Sequence, residues 1–390
     1  MSARILVVDH HAMLRSGRAL YNALADTGRF AVRVMAPDRW TENGVTIFFD
    51  AGSSENSVST SAPAGDRATV VPSPVLFGGR THRNVYLRLF HEVRAFRPDI
   101  LLVNSEPEGF LAMQATLVRE TVPRKPALVF TTWRNMPYGT PGVPFPVRWS
   151  WLCSLIERAV LPRAAWGIAL SPSAAGIFRE HGFSFVSYLP PWIDVRRFDG
   201  APRVPAPALS IGYVGRLVPE KGVDLALRAL AGVTWPFTFT VTGNGPALPG
   251  LRALAQDLGI AGRCTFIPSI PAAEIPFLMR SLDVLLLPSR ARAGWKEQFG
   301  RVLIEAMAAR TAVVGSDNGD IPAVIGGAGR TFPEDDVDAL RRVLDELNGD
   351  RALLDRLQQA GRDRVEEEFS LDRALTRHAM LLDALLASRV

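Results

Sequence analysis

The chain has 390 residues, which is enough for two domains of ordinary size. Hydrophobic residues make up 47% of the sequence and charged residues 21%, a composition that excludes a wholly disordered chain. The two cysteines, Cys153 and Cys264, exclude a disulfide scaffold and a four-cysteine metal site, and they fit a reducing cytosol.

The formal net charge of +5 is unevenly distributed. Residues 1–190 contain 20 basic and 14 acidic side chains, whereas the remainder contains 24 and 25. The basic first half could attract an anionic membrane surface, an acidic polymer or nucleic acid. Among 44 basic residues only Lys125, Lys221 and Lys296 are lysines. A retained lysine is of interest because a compact ammonium fits where a planar guanidinium would clash.

The sequence predicts neither a membrane span nor a signal peptide. The longest uncharged stretch, residues 229–251, is interrupted by three prolines and several glycines. At the N-terminus, Asp9 ends the apolar run 5–8 too soon for a secretory signal. We therefore expect a cytoplasmic protein.

The first half predicts a parallel sheet covered by helices. An apolar strand at residues 4–9 is followed by a helical pattern and by a second strand from Phe30 to Met35, which is a βαβ opening. Residues 51–66 are small and polar, as in a mobile loop. Residues 83–97 fit an amphipathic helix with an apolar face made by Tyr86, Leu89, Phe90, Val93 and Phe96. Further strands are expected at 100–103, 127–131 and 168–170.

The second half repeats this alternation after a proline-rich segment at 189–207, which is typical of a linker. A helix is expected at 223–230 and another at 371–390. The expected strands are 210–214, 237–242, 264–267, 284–287 and 312–315. The fold class is thus α/β, with two Rossmann-like domains facing each other across a cleft.

A first candidate site follows the strand at 210–214. Gly215 permits a tight turn, and Arg216 and Lys221 lie where the next helix begins. Two cations beside free helix N–H groups can bind a diphosphate without a metal ion. The alternative interpretation is a solvated loop with ordinary basic residues.

A second candidate site spans residues 295–308. Glu297 lies in a loop, Gly300 permits close backbone approach, and Glu305 is expected about two turns into an apolar helix. Buried carboxylates need partners, and sugar hydroxyls are suitable ones. Alternatively, Glu305 lies at a helix edge and reaches water or pairs with Arg301 at i−4.

The metal-binding alternatives in the sequence are less favoured. His10 and His11 are adjacent, and adjacent side chains seldom share one ion. Asp336 and Asp338 resemble an acidic metal pair, but their place after a proline favours helix capping. We expect no metal cofactor.

The second half resembles the retaining GT-B glycosyltransferases of the GT4 family (glycosyl transferases group 1). The Glu297-x7-Glu305 pair matches the family's paired glutamates. The matching segments, in chain order, are PPWIDVRRF, YVGRLVPEKGVD, TGNGP, TFIPSIP, LDVLLLPSR, FGRVLIEAMA and VVGSDNGDIPAVI. The first half resembles the family only in its layout.

This resemblance implies roles for individual residues. The catalytic group is Arg216, Lys221 and Glu297: the two cations contact the donor diphosphate, and Glu297 lies near the transferred sugar. Glu305 binds the nucleotide ribose. The remaining donor-binding positions are Gly215, the base-packing segment with Ile267 and Pro268, and the backbone at Phe299, Gly300 and Arg301.

The first half departs from the family pattern. Asp9-His10-His11 stands where the family has a glycine-rich loop, and the usual histidine has no clear counterpart in the stretch that contains Trp133 and Arg134. We take His10, His11, Trp133 and Arg134 as acceptor-side candidates.

By resemblance, residues 1–200 form the acceptor-binding domain, residues 201–368 bind the nucleotide sugar, and 369–390 form a helix crossing back to the first domain. The implied activity is metal-independent transfer of a hexosyl-type sugar, with retention, to an acceptor hydroxyl in glycolipid, polysaccharide or other glycoconjugate synthesis. A nucleotide-sugar isomerase or epimerase and a catalytically silent binding subunit are the alternatives.

The expected partners are a nucleotide sugar and a carbohydrate or lipid-linked acceptor, with no nucleic acid. Arginines at positions 80–97, together with Arg148, Trp149 and Trp151, suit contact with an anionic membrane, so a peripheral position on the inner membrane face is a further expectation.

Overall fold

The computed structural model describes residues 2–42, 45–50, 67–79, 82–137, 140, 150–200 and 206–388. The expected mobile loop at 51–66 lies outside this part of the chain, as do Arg80, Arg148 and Trp149 of the proposed membrane surface.

A parallel sheet of seven strands organises the first half, in the order β11-β10-β9-β8-β1-β2-β5. Two short antiparallel hairpins, β3–β4 and β6–β7, lie beside it. The strands of this half are β1 (Ala3–Val8), β2 (Phe30–Pro37), β3 (Arg39–Glu42), β4 (Val45–Phe48), β5 (Thr69–Ser73), β6 (Val75–Leu76), β7 (Val85–Tyr86), β8 (Ile100–Val103), β9 (Ala127–Thr132), β10 (Ala164–Ala169) and β11 (Val186–Tyr188).

A second parallel sheet of six strands has the order β14-β13-β12-β15-β16-β17. Its strands are β12 (Leu209–Val214), β13 (Phe237–Thr242), β14 (Cys264–Ile267), β15 (Val284–Leu287), β16 (Ala312–Ser316) and β17 (Arg330–Phe332). The two-sheet α/β architecture confirms the fold class expected from the sequence.

Helices cover both faces of each sheet, so the central strands are buried on both sides and consist of nearly continuous apolar runs, as in β8 and β15. The α-helices are α1 (Arg15–Asp26), α2 (Leu89–Phe96), α3 (Phe110–Glu120), α4 (Ser150–Val160), α5 (Pro172–Glu180), α6 (Val223–Ala231), α7 (Leu248–Asp257), α8 (Ile275–Arg280), α9 (Arg301–Ala308), α10 (Ile321–Ile325), α11 (Val337–Gly349), α12 (Arg351–Arg364) and α13 (Leu371–Ala387).

The prediction of an amphipathic helix at 83–97 is only partly correct. Residues 85–86 form strand β7, and the helix α2 starts at Leu89. Leu89 and Val93 are buried as expected, but Phe90 is 44% exposed. The i, i+4 spacing selects Leu89 and Val93 for the core, and this rotates the neighbouring Phe90 towards solvent.

The proline-rich segment is more ordered than a linker. Ile193 forms a parallel bridge with Ser370, and residues 195–198 form a 3-10 helix. Ile193 and Phe198 are buried in the core of the second sheet. Residues 201–205 lie outside the described residues.

Helix α13 packs against the first sheet, although it follows the second sheet in the chain. Its buried residues Ala374, Leu382 and Leu385 belong to the hydrophobic core formed by β1, β2 and α1. The crossing from one sheet to the other occurs at residues 365–369, a π-helical turn at the end of α12.

Candidate active site

The two candidate sites predicted in the second half meet at one point of the second sheet. Strand β12 ends before Gly215 and its neighbour β15 ends before Pro288, and the strand order reverses at this pair. Ligands of open α/β sheets bind outside the carboxyl ends of the strands at such a reversal. In the first sheet the reversal lies between β1 and β8, where Asp9 and Asn104 follow the strands.

Lys221 and Glu297 form an ion pair at the reversal in the second sheet. Lys221 Nζ lies 2.5 Å from Glu297 Oε2, and the side chains are 14% and 10% exposed. The Lys221 ammonium also lies 4.9 Å from the centre of the Trp295 ring, within cation–π range. The structure therefore brings together two residues that the sequence placed in separate motifs.

Glu297 is held on every side. Ser289 donates to its Oε2 at 2.9 Å, and its own N–H donates to Asn318 Oδ1 at 2.8 Å. Its carbonyl accepts from Asn135 Nδ2 of the first half, at 3.0 Å. Gly319 has a φ of +56°, and a Cβ there would lie 2.0 Å from the Glu297 carbonyl oxygen, so a glycine is required.

Arg216 lies in the turn after β12 with an exposed side chain. The backbone of this turn is fixed by Tyr213, which is fully buried and donates its hydroxyl to the Arg216 carbonyl at 2.8 Å. Burial raises the pKa of Tyr213 far above its usual value, so the hydroxyl remains a donor. Gly215 lies against Gly243, and a Cβ on Gly243 would meet the Gly215 carbonyl oxygen at 1.8 Å.

Helix α9 begins at Arg301, so Glu305 lies one turn into it rather than two. Glu305 is half-buried, and Arg301 Nε lies 3.4 Å from Glu305 Oε1, as one alternative interpretation anticipated. Burial raises the pKa of Glu305 above its usual value, despite the opposing effect of the nearby Arg301. A partly desolvated carboxylate with one exposed partner has remaining capacity to accept hydrogen bonds from a ligand.

The other donor-side candidates divide into core and surface positions. Phe299 is 2% exposed and packs edge-on against Phe369, so only its backbone can approach a ligand. Gly300 precedes helix α9 with a φ of +76°. Ile267 is half-buried and Pro268 is exposed at the end of β14, the edge strand of the second sheet.

His10 and His11 lie at the reversal in the first sheet. Asp9 caps a short 3-10 helix that contains both, and Asn104 Nδ2 donates to Asp9 Oδ1 at 2.7 Å. His10 stacks on Trp40 at 4.8 Å, and burial lowers the pKa of His10 to about 4. The ligating atoms of Asp9, His10 and His11 lie within 4.8 Å of one another, but both Asp9 oxygens already accept hydrogen bonds.

Trp133 and Arg134, the other acceptor-side candidates, are engaged in contacts within the protein. The Trp133 side chain packs against the core of the second sheet, and the backbone N–H of Trp133 donates to Glu106 Oε1 at 3.0 Å. Arg134 Nη2 lies 3.2 Å from Oε1 of the buried Glu108. Trp133 therefore connects the two halves of the chain and Arg134 balances a buried charge, and their role towards an acceptor stays a prediction.

The side chains of Asp336 and Asp338 are engaged at the start of helix α11. Asp336 Oδ1 accepts the N–H of Ala339 at 2.7 Å, as a helix N-cap does, and Asp338 pairs with Arg341 at 3.0 Å. The interpretation of this motif as a helix start is confirmed.

Ser289, Asn318 and Asn135, which hold Glu297, were not among the site residues predicted from the sequence. Each follows the end of a buried strand, and this position is the signal that could have identified them, because parallel strands direct such residues to one edge of a sheet.

Comparison with known proteins gives this geometry a family context. Residues 198–364 match the family model described as Glycosyl transferases group 1. A GDP-mannose-dependent alpha-(1-6)-phosphatidylinositol monomannoside mannosyltransferase of Mycolicibacterium smegmatis is 32% identical over 216 residues, which are 51% of this chain and 54% of that enzyme. A 2-deoxystreptamine glucosyltransferase of Streptomyces kanamyceticus is 31% identical over 243 residues, 57% of this chain and 61% of that enzyme. The chain thus spans between about half and two thirds of the length of these relatives.

Solved structures show the same fold over the whole chain. Sucrose-phosphate synthase from Thermosynechococcus elongatus has a TM-score of 0.70 at 18% identity and covers 99% of this chain and 100% of its own. Anabaena HepE in complex with UDP has a TM-score of 0.70 at 16% identity, with 98% and 100% covered. The two Rossmann-like sheets are the GT-B architecture.

Proposed function

Since residues 198–364 match the model of the glycosyl transferases group 1 family, we propose that the chain transfers a sugar from a nucleotide-diphosphate sugar to an acceptor hydroxyl. The Lys221–Glu297 pair carries this proposal, because it places a partly buried ammonium at the strand-order reversal, in the same connection between β12 and α6 as the exposed Arg216. The donor lies over the second sheet, with its base near Ile267 and Pro268 and its ribose at Glu305.

The chemical step requires stabilisation of the leaving group. As the bond between the anomeric carbon and the diphosphate oxygen breaks, the sugar becomes oxocarbenium-like and negative charge grows on the phosphate. Lys221 and Arg216 stabilise that charge. The acceptor oxygen bonds to the anomeric carbon, and its proton passes to the departing phosphate, with retention of configuration. Glu297 orients the Lys221 ammonium throughout.

We also propose that transfer needs no metal ion. Two cations and the start of helix α6 can neutralise the diphosphate. Asp336 and Asp338, the acidic pair that suggested an alternative, are used for helix capping and for a surface ion pair.

The test is a thermal-shift panel of UDP-, GDP- and ADP-sugars, followed by donor hydrolysis and an acceptor screen. A glycosyltransferase binds one donor class and transfers its sugar when a suitable acceptor is added. An isomerase converts the donor without a sugar acceptor, and a silent subunit binds it unchanged. Absence of binding to every nucleotide sugar would contradict all three.

We propose further that the first half docks on an anionic membrane surface from the cytoplasmic side and that the acceptor is lipid-linked or lies near the membrane. The similar mannosyltransferase acts on a phosphatidylinositol mannoside. Within the described residues, the structure contains no helix with the length and apolarity needed to cross a bilayer.

Exposed apolar side chains support this docking. Leu76, Phe77, Leu87 and Phe90, which we call the hairpin patch, are between 44% and 59% exposed on the β6–β7 hairpin and the start of α2. The arginines Arg88, Arg94 and Arg97 beside the hairpin patch are also exposed. On α4, Trp151 is 62% and Leu155 is 51% exposed, one turn apart.

Helices α2, α3 and α4 all pack into the same core, on one face of the first sheet. Their exposed residues therefore lie on one side of the protein. Aromatic rings and arginines together suit the boundary between water and anionic lipid.

A further inference from the structure

The segment after strand β9 reaches from the first half to the donor side of the cleft. Asn135 Nδ2 donates to the carbonyl of Glu297 at 3.0 Å and to that of Lys296 at 3.4 Å. The Trp133 side chain packs against the core of the second sheet. The position of residues 132–135, which we call the bridging segment, therefore affects the backbone that presents the Glu297 carboxylate.

Glu106, which follows β8, holds the bridging segment against the first half through hydrogen bonds. Oε1 of Glu106 accepts the backbone N–H of Trp133 at 3.0 Å, and Oε2 accepts the Thr132 hydroxyl at 2.5 Å. Because the Thr132 hydroxyl donates its hydrogen to Glu106, its oxygen accepts the Arg134 N–H at 3.0 Å. One carboxylate thus fixes three consecutive residues.

We propose that Glu106 is a positioning residue of the transfer reaction: its ionised carboxylate holds the bridging segment so that Asn135 fixes Glu297, and with it Lys221, in the geometry that transfer requires. This inference rests on the proposed function of the Lys221–Glu297 pair. In this proposal Glu106 acts first through its hydrogen bonds to the bridging segment and then through that of Asn135 to Glu297, and it touches neither donor nor acceptor.

The surroundings of Glu106 make its control of the segment dependent on pH. Burial and the nearby Glu108 carboxylate together raise the pKa of Glu106 to about 7, against the opposing effects of Thr132 and Arg134. The charged groups around it are Glu108 and Arg134, and His82 lies 3.9 Å from Glu108. As pH falls through this range the carboxylate gains a proton and becomes a poorer acceptor for the Trp133 N–H.

The test compares Glu106→Gln with Glu92→Gln. Glu92, on helix α2, is a matched control because it is 4% exposed and forms ion pairs with Arg33 and Arg88. Amide hydrogen exchange in peptides covering 132–136 and 294–298 is measured for both variants. We expect Glu106→Gln to accelerate exchange in both peptides and Glu92→Gln to leave both at the parent rate.

Kinetics supply a readout that a purely structural role would not move. With UDP-glucose and GDP-mannose as donor probes, Glu106→Gln should lower kcat between about 10- and 100-fold, as a misplaced catalytic geometry does, with a smaller change in KM. Parent activity should fall as the pH decreases from 8 to 6, and the variant should lack this decrease.

Asn135→Ala keeps every Glu106 hydrogen bond and removes the contact with Glu297, so it covers the case in which Glu106→Gln fails to fold. It should reproduce the loss in kcat, and the double variant should be no worse than either single one.

Faster exchange at 132–136 alone, with kcat unchanged, would overturn the inference and leave a structural role for Glu106. If the parent neither hydrolyses nor transfers either donor, the proposed function fails for these donors, while exchange at 294–298 still decides whether Glu106 controls the donor-side backbone.

Discussion

The ammonium of Lys221 lies 2.5 Å from the carboxylate of Glu297, and this contact joins the loops that follow two neighbouring strands of the second sheet. Removal of the Lys221 ammonium would deprive a buried carboxylate of its cation, so this pair affects stability as well as catalysis.

Replacement of Lys221 by alanine should lower turnover by about 10²–10³, since one donor to developing charge contributes ~2.7–4 kcal/mol. It should also lower the free energy of unfolding. Lys125→Ala is the matched control, because Lys125 is 47% exposed and pairs with a surface glutamate. Steady-state kinetics and urea unfolding measure the two effects.

Adding Glu297→Gln to Lys221→Ala should restore much of the lost stability without restoring turnover, because the double variant no longer buries an unpaired charge. Near-normal turnover of the alanine variant would contradict the assignment of Lys221 to the diphosphate.

Glu305→Gln should weaken binding of the nucleoside diphosphate by about 10-fold or more, because a hydrogen bond to a charged group contributes ~1.5–3 kcal/mol. Calorimetry with the ribose and 2′-deoxyribose forms measures the coupling. The 2′-deoxy form should lose less affinity in the variant than in the parent, and equal losses would show that Glu305 does not bind the ribose. Arg301→Gln, which removes an exposed pair, is the control.

Phe237–Thr242, Cys264–Ile267 and Val284–Leu287 have the bounds expected from the sequence. Val284–Leu287 is buried throughout and is a continuous apolar run, whereas Phe237–Thr242 alternates buried apolar residues with threonines, and both patterns are typical of strands. The segment at 83–97 was harder, because the apolar spacing of Tyr86 continues that of Leu89 although the two residues belong to different elements.

The donor-side residues could be found because their motifs are local. The bridging segment could not, because the bonds of Glu106 and Asn135 span 27 and 162 positions in the chain. The spacing of apolar residues along the sequence does not indicate such contacts, because they depend on how one sheet faces the other. For the same reason the sequence did not predict the ion pair between Arg134 and Glu108.

Activity should persist in excess chelator, because cations of the protein already neutralise the diphosphate. Turnover is measured after treatment with EDTA and after adding back Mg²⁺ or Mn²⁺. Asp336→Asn and Asp338→Asn should leave turnover unchanged, and an apolar replacement, Asp336→Ala, should cost ~0.5–2 kcal/mol of stability as a lost helix cap. Complete loss of activity that a divalent ion restores would revive the metal-dependent mechanism.

The protein should lose stability in mild acid partly through His378. Burial lowers the pKa of His378 in the folded protein to about 4, against about 6.5 in an unfolded chain. As pH falls from about 6.5 to 4, the unfolded chain binds a proton that the folded one does not, so the free energy of unfolding decreases. In urea unfolding at pH 7 and pH 5, His378→Gln should show a smaller difference than the parent or the exposed-site control His91→Gln. An equal difference would contradict this contribution.

Sedimentation with lipid vesicles tests the docking surface. At low salt, vesicles containing anionic lipid should pull the protein down and neutral vesicles should not, because exposed arginines supply the attraction. Raising the salt until the Debye length falls below about 8 Å should release it.

Replacing Phe77 and Phe90 in the hairpin patch by serine should weaken binding, because both rings are exposed and available for insertion. The control is Phe277→Ser, which removes a ring that is 67% exposed from helix α8 in the second half and should leave binding unchanged. Indifference to lipid charge would favour an acceptor free in solution.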